Sequence, residues 1–344
     1  MNTSLMSRRR TGPFVRRASF VLVALLLAGC AAPAEPPAPG PDVAEADAES
    51  FAEPVRVSFR AVTRTAGPVD VAGLAWWPAG EPSSVILAVH GSGGVKENNW
   101  GPLPTPGYAL GEIEAANGRG LVGIDLPGYG ETEGDERLIG MEDYAFVVDQ
   151  VADALRSGTY GSEGADAVAA PIVLGLGHSM GGLVVELAQG TFASFDGVVA
   201  AGYVHGPYNE ETQACFNGGD CPDVREICFW QETADPEVVE AVIAPMVQPP
   251  LMAGMSIFAW SEPNTAPAQE ERVAARIEVP VLVLVGTKDW FFDAEGFDRE
   301  EDVFTGTDDA TVVVFDDIGH FVFHHRNHAD VVGATDAWLT ERGW

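Results

Sequence analysis

The chain has 344 residues, of which 51 are aspartate or glutamate and 19 are lysine or arginine, so its formal net charge is −32 at pH 7. A surface with this excess of carboxylates repels nucleic acid and anionic lipid headgroups, which excludes a role in nucleic-acid binding. The length suffices for one large α/β domain with an insertion.

Residues 1–29 have the pattern of a secretory signal peptide. Five arginines between positions 8 and 17 form a basic region, and residues 20–28 form an apolar region too short to span a bilayer. The run ends in Leu27-Ala28-Gly29-Cys30, which resembles the lipobox of bacterial lipoproteins. This resemblance implies cleavage before Cys30 and lipidation of its sulfur, so we expect an exported protein anchored to a membrane through Cys30. An ordinary signal peptide cleaved a few residues later is the alternative.

Residues 30–54 are rich in proline, alanine and acidic residues and lack apolar periodicity. Such a segment cannot bury enough apolar surface to order itself, and we expect a semi-extended tether. The folded domain is therefore expected over residues 55–344.

Within that domain, strand patterns alternate with helix patterns. Two segments of alternating polarity, 55–59 and 69–74, predict an antiparallel hairpin at a sheet edge. Apolar runs predict buried strands at 85–89, 121–125, 172–176, 197–204, 279–285 and 311–315. Apolar spacing and position predict helices at 107–117, at 141–156, after residue 179 and through 331–339. The alternation predicts an α/β fold with a doubly wound, mostly parallel sheet, whose ligands bind at the carboxyl ends of the strands.

The segment 208–278 interrupts this alternation and is too long for an ordinary connection, so we expect a cap inserted over the carboxyl-end face. It contains Cys215, Cys221 and Cys228, which in an exported protein predict one disulfide and one remaining thiol, with the pairing left open. The large apolar side chains of the segment either line an acyl pocket or form the core of the cap; they are Phe216, Phe229, Trp230, Met252, Met255, Phe258 and Trp260.

The pentapeptide Gly177-His178-Ser179-Met180-Gly181 stands between a predicted strand and a predicted helix. A serine hydroxyl is a poor nucleophile unless a sharp turn exposes it, a base takes its proton and amide groups await the oxyanion. The two glycines suit such a turn, because it brings the strand and helix backbones close together. The placement predicts that Ser179 is a nucleophile.

A nucleophilic serine needs a base, and the base needs an orienting acid. Asp289 follows the predicted strand 279–285, and His320 follows the predicted strand 311–315. Because the carboxyl ends of parallel strands meet at one edge of a sheet, we expect Ser179, Asp289 and His320 to meet there.

The chain order serine, aspartate, histidine, with the serine on a strand-to-helix turn, resembles the α/β-hydrolase superfamily over residues 55–344. The resemblance implies that Ser179 is the nucleophile, that His320 is the general base and later the acid, and that Asp289 holds the imidazole.

The loop His90-Gly91-Ser92-Gly93 resembles the oxyanion loop of the same superfamily. This resemblance implies that the backbone N–H groups of Ser92 and Met180 bind the oxyanion. Asp125 lies in a turn that resembles a turn of the family, where this residue is expected to be structural.

Several residues are alternatives for the acid and the base. Asp293 is the alternative acid, because it lies in the same loop as Asp289. His324, His325 and His328 are the alternative bases, but they lie in or near the last predicted helix, where we expect solvated surface.

The remaining histidines have other expected roles. His90 and His178 flank the reactive loops and should hold backbone by hydrogen bonds. His205 should pack in the core or line the pocket. We expect no cofactor and no metal.

These residues together predict a serine hydrolase that cleaves small, neutral carboxylic esters through an acyl-enzyme, with anionic substrates disfavoured by the acidic surface. A peptidase, amidase or acyltransferase that uses the same triad is one alternative. A non-catalytic, ligand-binding lipoprotein with a hydrolase fold is the other.

Overall fold

The computed structural model describes residues 53–134, 139–164, 166–206, 208–216, 220–246 and 271–344. The described residues belong to one compact unit, Glu49–Trp344. The predicted signal peptide, Cys30 and nearly all of the tether lie outside the described residues. So do residues 247–270 of the expected cap, with Met252, Met255, Phe258 and Trp260. Among the described helices, none combines the length and apolar character that crossing a membrane requires.

The described residues contain a nine-stranded sheet with the order β5-β1-β2-β4-β3-β6-β7-β8-β9. Its strands are β1 (Val55–Thr63), β2 (Gly67–Trp76), β3 (Val85–Val89), β4 (Gly120–Ile124), β5 (Gly161–Ser162), β6 (Val173–His178), β7 (Gly197–Ala201), β8 (Val281–Gly286) and β9 (Ala310–Phe315). The six strands from β4 to β9 in this order pair in parallel, while β1 pairs antiparallel with β2 and β5, and β2 with β4. The predicted mostly parallel sheet with an antiparallel hairpin is confirmed.

The burial of the strands explains this arrangement. Every residue of β3, β4, β6, β7 and β8 is buried, as expected for strands covered by helices on both faces. In β1, by contrast, buried and exposed residues alternate, because only one face of the hairpin packs on the core. The expected strand 197–204 ends earlier, at Ala201.

Helices cover both faces of the sheet. The helices of the described residues are α1 (Lys96–Trp100), α2 (Leu110–Ala116), α3 (Met141–Ser157), α4 (Met180–Phe192), α5 (Glu210–Phe216), α6 (Val224–Cys228), α7 (Pro236–Ile243), α8 (Ala294–Arg299) and α9 (His328–Glu341). On one face, Val147 of α3 and Leu183 of α4 pack in a core with Leu87 of β3. On the other face, α2 and α9 pack with Ile86, the neighbour of Leu87 along β3. Successive residues of a strand point to opposite faces, so one strand serves both cores.

The segment between β7 and β8 contains α5, α6 and α7. Helix α7 begins at Pro236, and Asp235 before it caps the helix by accepting a hydrogen bond from the backbone N–H of Glu237. Its apolar face packs in a third core with Tyr108 and Phe321, and its Val242 carbonyl accepts a hydrogen bond of 2.6 Å from the Asn98 side chain. The described part of this segment therefore packs on α1 and on the loop after β9. A cap over 208–278 stays a prediction.

The cysteines of this segment pair as one disulfide and one thiol. Cys215 and Cys221 form the disulfide, and Cys228 is a buried free thiol. Burial raises the pKa of the Cys228 thiol, which keeps it protonated and unreactive. The sequence predicted one pair and one thiol without choosing the pairing.

A buried ion pair joins the loop after β3 to the turn after β4. The Lys96 side chain is fully buried, and its Nζ donates to Asp125 at 2.7 Å and to Glu131 at 2.9 Å. The Asp125 carboxylate also accepts the backbone N–H groups of Lys96 and Glu131. Burial by itself lowers the pKa of Lys96, but these carboxylates and Glu97 raise it overall. Asp125 thus holds the turn together, as expected of a structural residue.

We predict that Lys96→Met lowers the free energy of unfolding by about 3 kcal/mol, because it leaves the buried Asp125 carboxylate without its cation. Urea-induced unfolding measures the loss. The matched control is Arg60→Met, which removes the cation of the exposed Arg60–Asp70 pair, with side chains 91% and 74% exposed, and should cost much less. Equal losses in the two variants would contradict a special role for the buried pair.

Candidate active site

Ser179 lies at the carboxyl end of β6, immediately before α4. Its backbone adopts φ 53° and ψ −120°, a left-handed conformation that costs energy for any residue with a Cβ. The Ser179 side chain makes no capping hydrogen bond to α4 and is partly exposed, while its N–H donates to the Ala201 carbonyl at 2.8 Å. The turn therefore leaves the hydroxyl partly exposed, and the hydroxyl does not cap the first turn of α4.

The glycines around Ser179 are required by close packing of backbone. A Cβ on Gly177 would lie 2.0 Å from the Gly181 carbonyl oxygen, and one on Gly181 would lie 2.2 Å from the Val89 oxygen. Neither distance is compatible with a side chain. The structure thus gives the physical reason for both glycines of the pentapeptide, as the sequence predicted.

His320 and Asp289 form a buried hydrogen-bonded pair. The His320 Nδ1 lies 2.8 Å from Asp289 Oδ2, and the two side chains are at most 4% exposed. The other carboxylate oxygen accepts the backbone N–H of Phe291 at 2.8 Å, and the Phe291 ring lies 4.4 Å from the imidazole. Because a carboxylate accepts at Nδ1, that nitrogen carries the hydrogen and Nε2 is the basic position.

His178 connects the histidine loop to the serine turn. Its Nε2 donates to the His320 carbonyl at 3.0 Å, and the two rings lie 5.0 Å apart. Burial and the neighbouring His320 lower the pKa of His178 well below 6.5, so this imidazole stays neutral. Among the described residues, no hydrogen bond joins the Ser179 hydroxyl to His320. Such a bond is often long before a substrate binds.

The loop after β3 lies against the serine. A Cβ on Gly91 would be 3.0 Å from the Ser179 Cβ, so the backbone next to Ser92 comes close to the Ser179 side chain. His90 holds this loop, since its Nδ1 donates to the Gly91 carbonyl at 2.7 Å and its Nε2 accepts from Leu126 at 3.1 Å. Within the described part of the chain, the N–H groups of Ser92 and Met180 donate to no other residue.

The alternative acid and bases are held by other contacts. Asp289 binds His320, whereas Asp293 accepts from the Gly296 N–H at the start of α8. His325 donates from Nδ1 to the Phe321 carbonyl, and its Nε2 accepts two backbone N–H groups.

The expectation of a solvated histidine surface was wrong for two of the three residues. His324 and His325 are 3% and 0% exposed, and burial lowers their pKa to about 3 and about 4. The physical reason is a 3-10 turn, Val322–His324, which folds these residues into the core before α9 begins. His328, stacked on Tyr108 at 4.0 Å, lies on the first turn of α9.

His205, expected in the core or the pocket, is buried between two glutamates that were not predicted from the sequence as site residues. Its ring nitrogens lie 3.1 Å from Glu186 and 2.8 Å from Glu300. Within the described residues, these three form the one group whose possible metal-ligand atoms all lie within 4.8 Å of one another. The sequence does indicate that Glu186 is unusual, because it is the one charged residue in the otherwise apolar run 180–188.

The model of the alpha/beta hydrolase family matches residues 85–334. Among solved structures, a membrane phospholipase A described as a bacterial virulence factor is 17% identical, with a TM-score of 0.57 over 83% of this chain and 86% of that protein. A thermophilic esterase from Thermogutta terrifontis is 18% identical, with a TM-score of 0.56 over 83% and 98%. The carboxylesterase CesB from Bacillus subtilis is 14% identical, with a TM-score of 0.51 over 81% and 89%. The TM-scores establish a shared fold, and at these identities they establish the fold alone. No curated protein sequence matches the chain.

The positive φ of Ser179 predicts an inverted order of stability for two variants. An alanine-to-glycine change usually destabilises a protein, because glycine loses more conformational freedom on folding. At residue 179, glycine relieves the backbone strain that alanine keeps. We therefore expect Ser179→Gly to be more stable than Ser179→Ala by about 1 kcal/mol in urea unfolding. A less stable glycine variant would contradict the strained turn.

Proposed function

The chain belongs to the alpha/beta hydrolase family, and we propose that within it the protein is a serine hydrolase that cleaves carboxylic esters through an acyl-enzyme. The observation that carries this proposal is the 2.8 Å hydrogen bond between His320 and Asp289, both buried beside the turn that presents Ser179. A neutral imidazole oriented in this way is a base for a nearby hydroxyl.

In the proposed reaction, the Ser179 Oγ attacks the ester carbonyl carbon while His320 Nε2 takes its proton. The carbonyl oxygen becomes an oxyanion, which accepts hydrogen bonds from the N–H groups of Ser92 and Met180. His320 then donates the proton to the leaving alcohol, and an acyl-enzyme remains on Ser179. Water, deprotonated by the same imidazole, attacks the acyl carbon. The bond to the Ser179 Oγ then breaks, the imidazolium returns the proton to that oxygen, and the acid is released. Asp289 holds the ring and stabilises the imidazolium in each step.

One observation supports an ester as the substrate, and a second supports an uncharged one. The similar structures described above are a phospholipase A, an esterase and a carboxylesterase. The net charge of −32 repels anions and favours uncharged substrates over anionic ones. The proposed reaction needs no metal or cofactor, since the side chains named above supply each proton transfer.

We also propose that the protein is exported and held at a membrane by a lipid on Cys30. The acidic domain repels anionic headgroups, and the proline- and acid-rich residues 31–54 would separate it from the surface.

Reaction with a fluorophosphonate probe tests the proposed nucleophile. The wild-type protein should be labelled at Ser179 and should hydrolyse p-nitrophenyl esters, whereas Ser179→Ala should do neither. Asp289→Asn should lower kcat by roughly 10³- to 10⁴-fold, because the imidazole loses the partner that orients it. Asp293→Asn is the matched control, since that carboxyl lies four residues further along the same loop.

An equal loss of activity in the Asp289 and Asp293 variants would contradict the assignment of the acid. A folded wild-type protein that neither labels nor turns over esters would overturn the proposed function. Amide and lactone substrates, measured beside p-nitrophenyl esters of graded chain length, show whether esters are preferred.

For the anchor, we predict that Cys30→Ser moves the protein from the membrane fraction to the soluble fraction of the expressing cells, because the lipid can no longer be attached. Immunoblotting of the two fractions is the measurement. Cys228→Ser, which removes the buried thiol, controls for the loss of a cysteine. A Cys30→Ser protein that stays with the membrane would show that Cys30 is not the anchor.

A further inference from the structure

His205 lies in a buried cluster of opposite charges outside the proposed triad. Its Nδ1 is 2.8 Å from Glu300 Oε1, and its Nε2 is 3.1 Å from Glu186 Oε2. The backbone N–H of His205 also donates to the second Glu300 oxygen at 2.8 Å. The three side chains are 1–2% exposed. Groups this deeply buried are stable as ions only when they are paired.

The cluster joins two parts of the chain that carry proposed catalytic residues. Glu186 lies on α4, the helix that begins directly after Ser179. Glu300 follows α8, in the segment that runs on from Asp289. His205 stands between them, four residues beyond the end of β7. One imidazole therefore contacts both α4, which we call the nucleophile helix, and the segment 289–300, which we call the acid segment.

The charges of the cluster favour a cation between two anions. Burial by itself lowers the pKa of His205, but the carboxylates of Glu186 and Glu300 outweigh burial and raise this pKa well above 6.5. Two aromatic rings also lie near the imidazole, that of Tyr203 at 5.3 Å and that of Phe304 at 5.6 Å. The two carboxylates, one beside each ring nitrogen, thus favour the imidazolium form of His205.

Further contacts, closer to Asp289, join the residues that follow β7 to the acid segment. A Cβ on Gly206 would lie 2.6 Å from the Gly296 Cα, so the two backbones touch. Asn209 then donates from its backbone to the Phe291 carbonyl at 3.0 Å and from its side chain to the Trp290 carbonyl at 2.7 Å. The residues that follow β7 therefore contact the acid segment at several points, and the His205–Glu300 pair is the contact farthest along the chain from Asp289.

We propose that Glu186, His205 and Glu300 are positioning residues, which fix the acid segment against the nucleophile helix so that Asp289 meets His320 in the correct place. This inference rests on the proposed function. The cluster acts through the backbone and touches no reacting atom. Its two carboxylates face opposite ring nitrogens, as in an imidazolium paired with an anion on each side.

The test uses Glu300→Gln and Glu186→Gln, which keep the shape of the side chain and remove its charge. Each should lower kcat on a p-nitrophenyl ester by roughly 10- to 100-fold, with KM changed by less than about threefold, because a small displacement of a catalytic group mainly affects the chemical step. Glu114→Gln is the matched control. Glu114 is equally buried and paired with Arg119, but it lies on α2, so its loss should change stability and leave kcat and KM unchanged.

A second readout does not depend on any substrate. The proton in the His320–Asp289 hydrogen bond is expected to give a downfield imidazole signal in the ¹H NMR spectrum. Glu300→Gln should shift or broaden this signal, and Glu114→Gln should leave it in place. If Glu300→Gln does not fold, Glu300→Asp keeps the charge one methylene shorter and should show the same two changes to a smaller degree.

The outcomes separate this proposal from the proposed function. A folded Glu300→Gln protein with wild-type kcat and an unmoved imidazole signal would overturn the positioning role. Loss of the signal and of activity on treating the wild-type protein with EDTA would overturn it as well, in favour of a metal held by the three residues. If the wild-type protein turns over no ester but Glu300→Gln still moves the signal, the proposed function fails and the positioning role stands.

Discussion

The structure of this protein depends on one tight junction, where a single residue separates a buried strand from a helix. Ser179 is that residue, and its backbone takes a conformation that is unfavourable for a side chain. The junction is possible because Gly177 and Gly181 let the backbones of β6, α4 and β3 approach to distances that a Cβ would forbid. Every residue of β6 is buried in the sheet, and this packing offsets the energetic cost of the strained backbone.

Around this junction, polar contacts hold loops that the apolar core does not fix. The Lys96–Asp125 pair secures the loop after β3, the His178–His320 hydrogen bond secures the loop after β9, and His205 secures the segment after β8. Each contact is buried, so water competes with it only weakly. The sheet therefore supplies a rigid edge, and a small number of buried polar groups determine how the loops stand on it.

Much of this arrangement could be predicted from the sequence, because it depends on apolar runs and on the order of residues along the chain. Uninterrupted apolar runs indicate strands covered on both faces, and the residues after them lie on one edge of the sheet, which brings Asp289 and His320 together. Predictions from the sequence were wrong where tertiary packing overrides the local sequence pattern. His324 and His325 are polar and adjacent to a helix, yet a 3-10 turn carries them into the core. Glu300 has no neighbouring pattern that marks it as buried.

The sequence by itself determined the order of the elements, the mostly parallel sheet and the turn at Ser179, because hydrophobic period and glycine placement are local properties of the chain. Only the tertiary structure decided that Asp289, and not Asp293, binds the imidazole, that Cys215 pairs with Cys221, and that His205 lies between two glutamates. These choices join residues that are distant along the chain or depend on how one loop turns. They are set by distances and burial that arise when the whole domain packs.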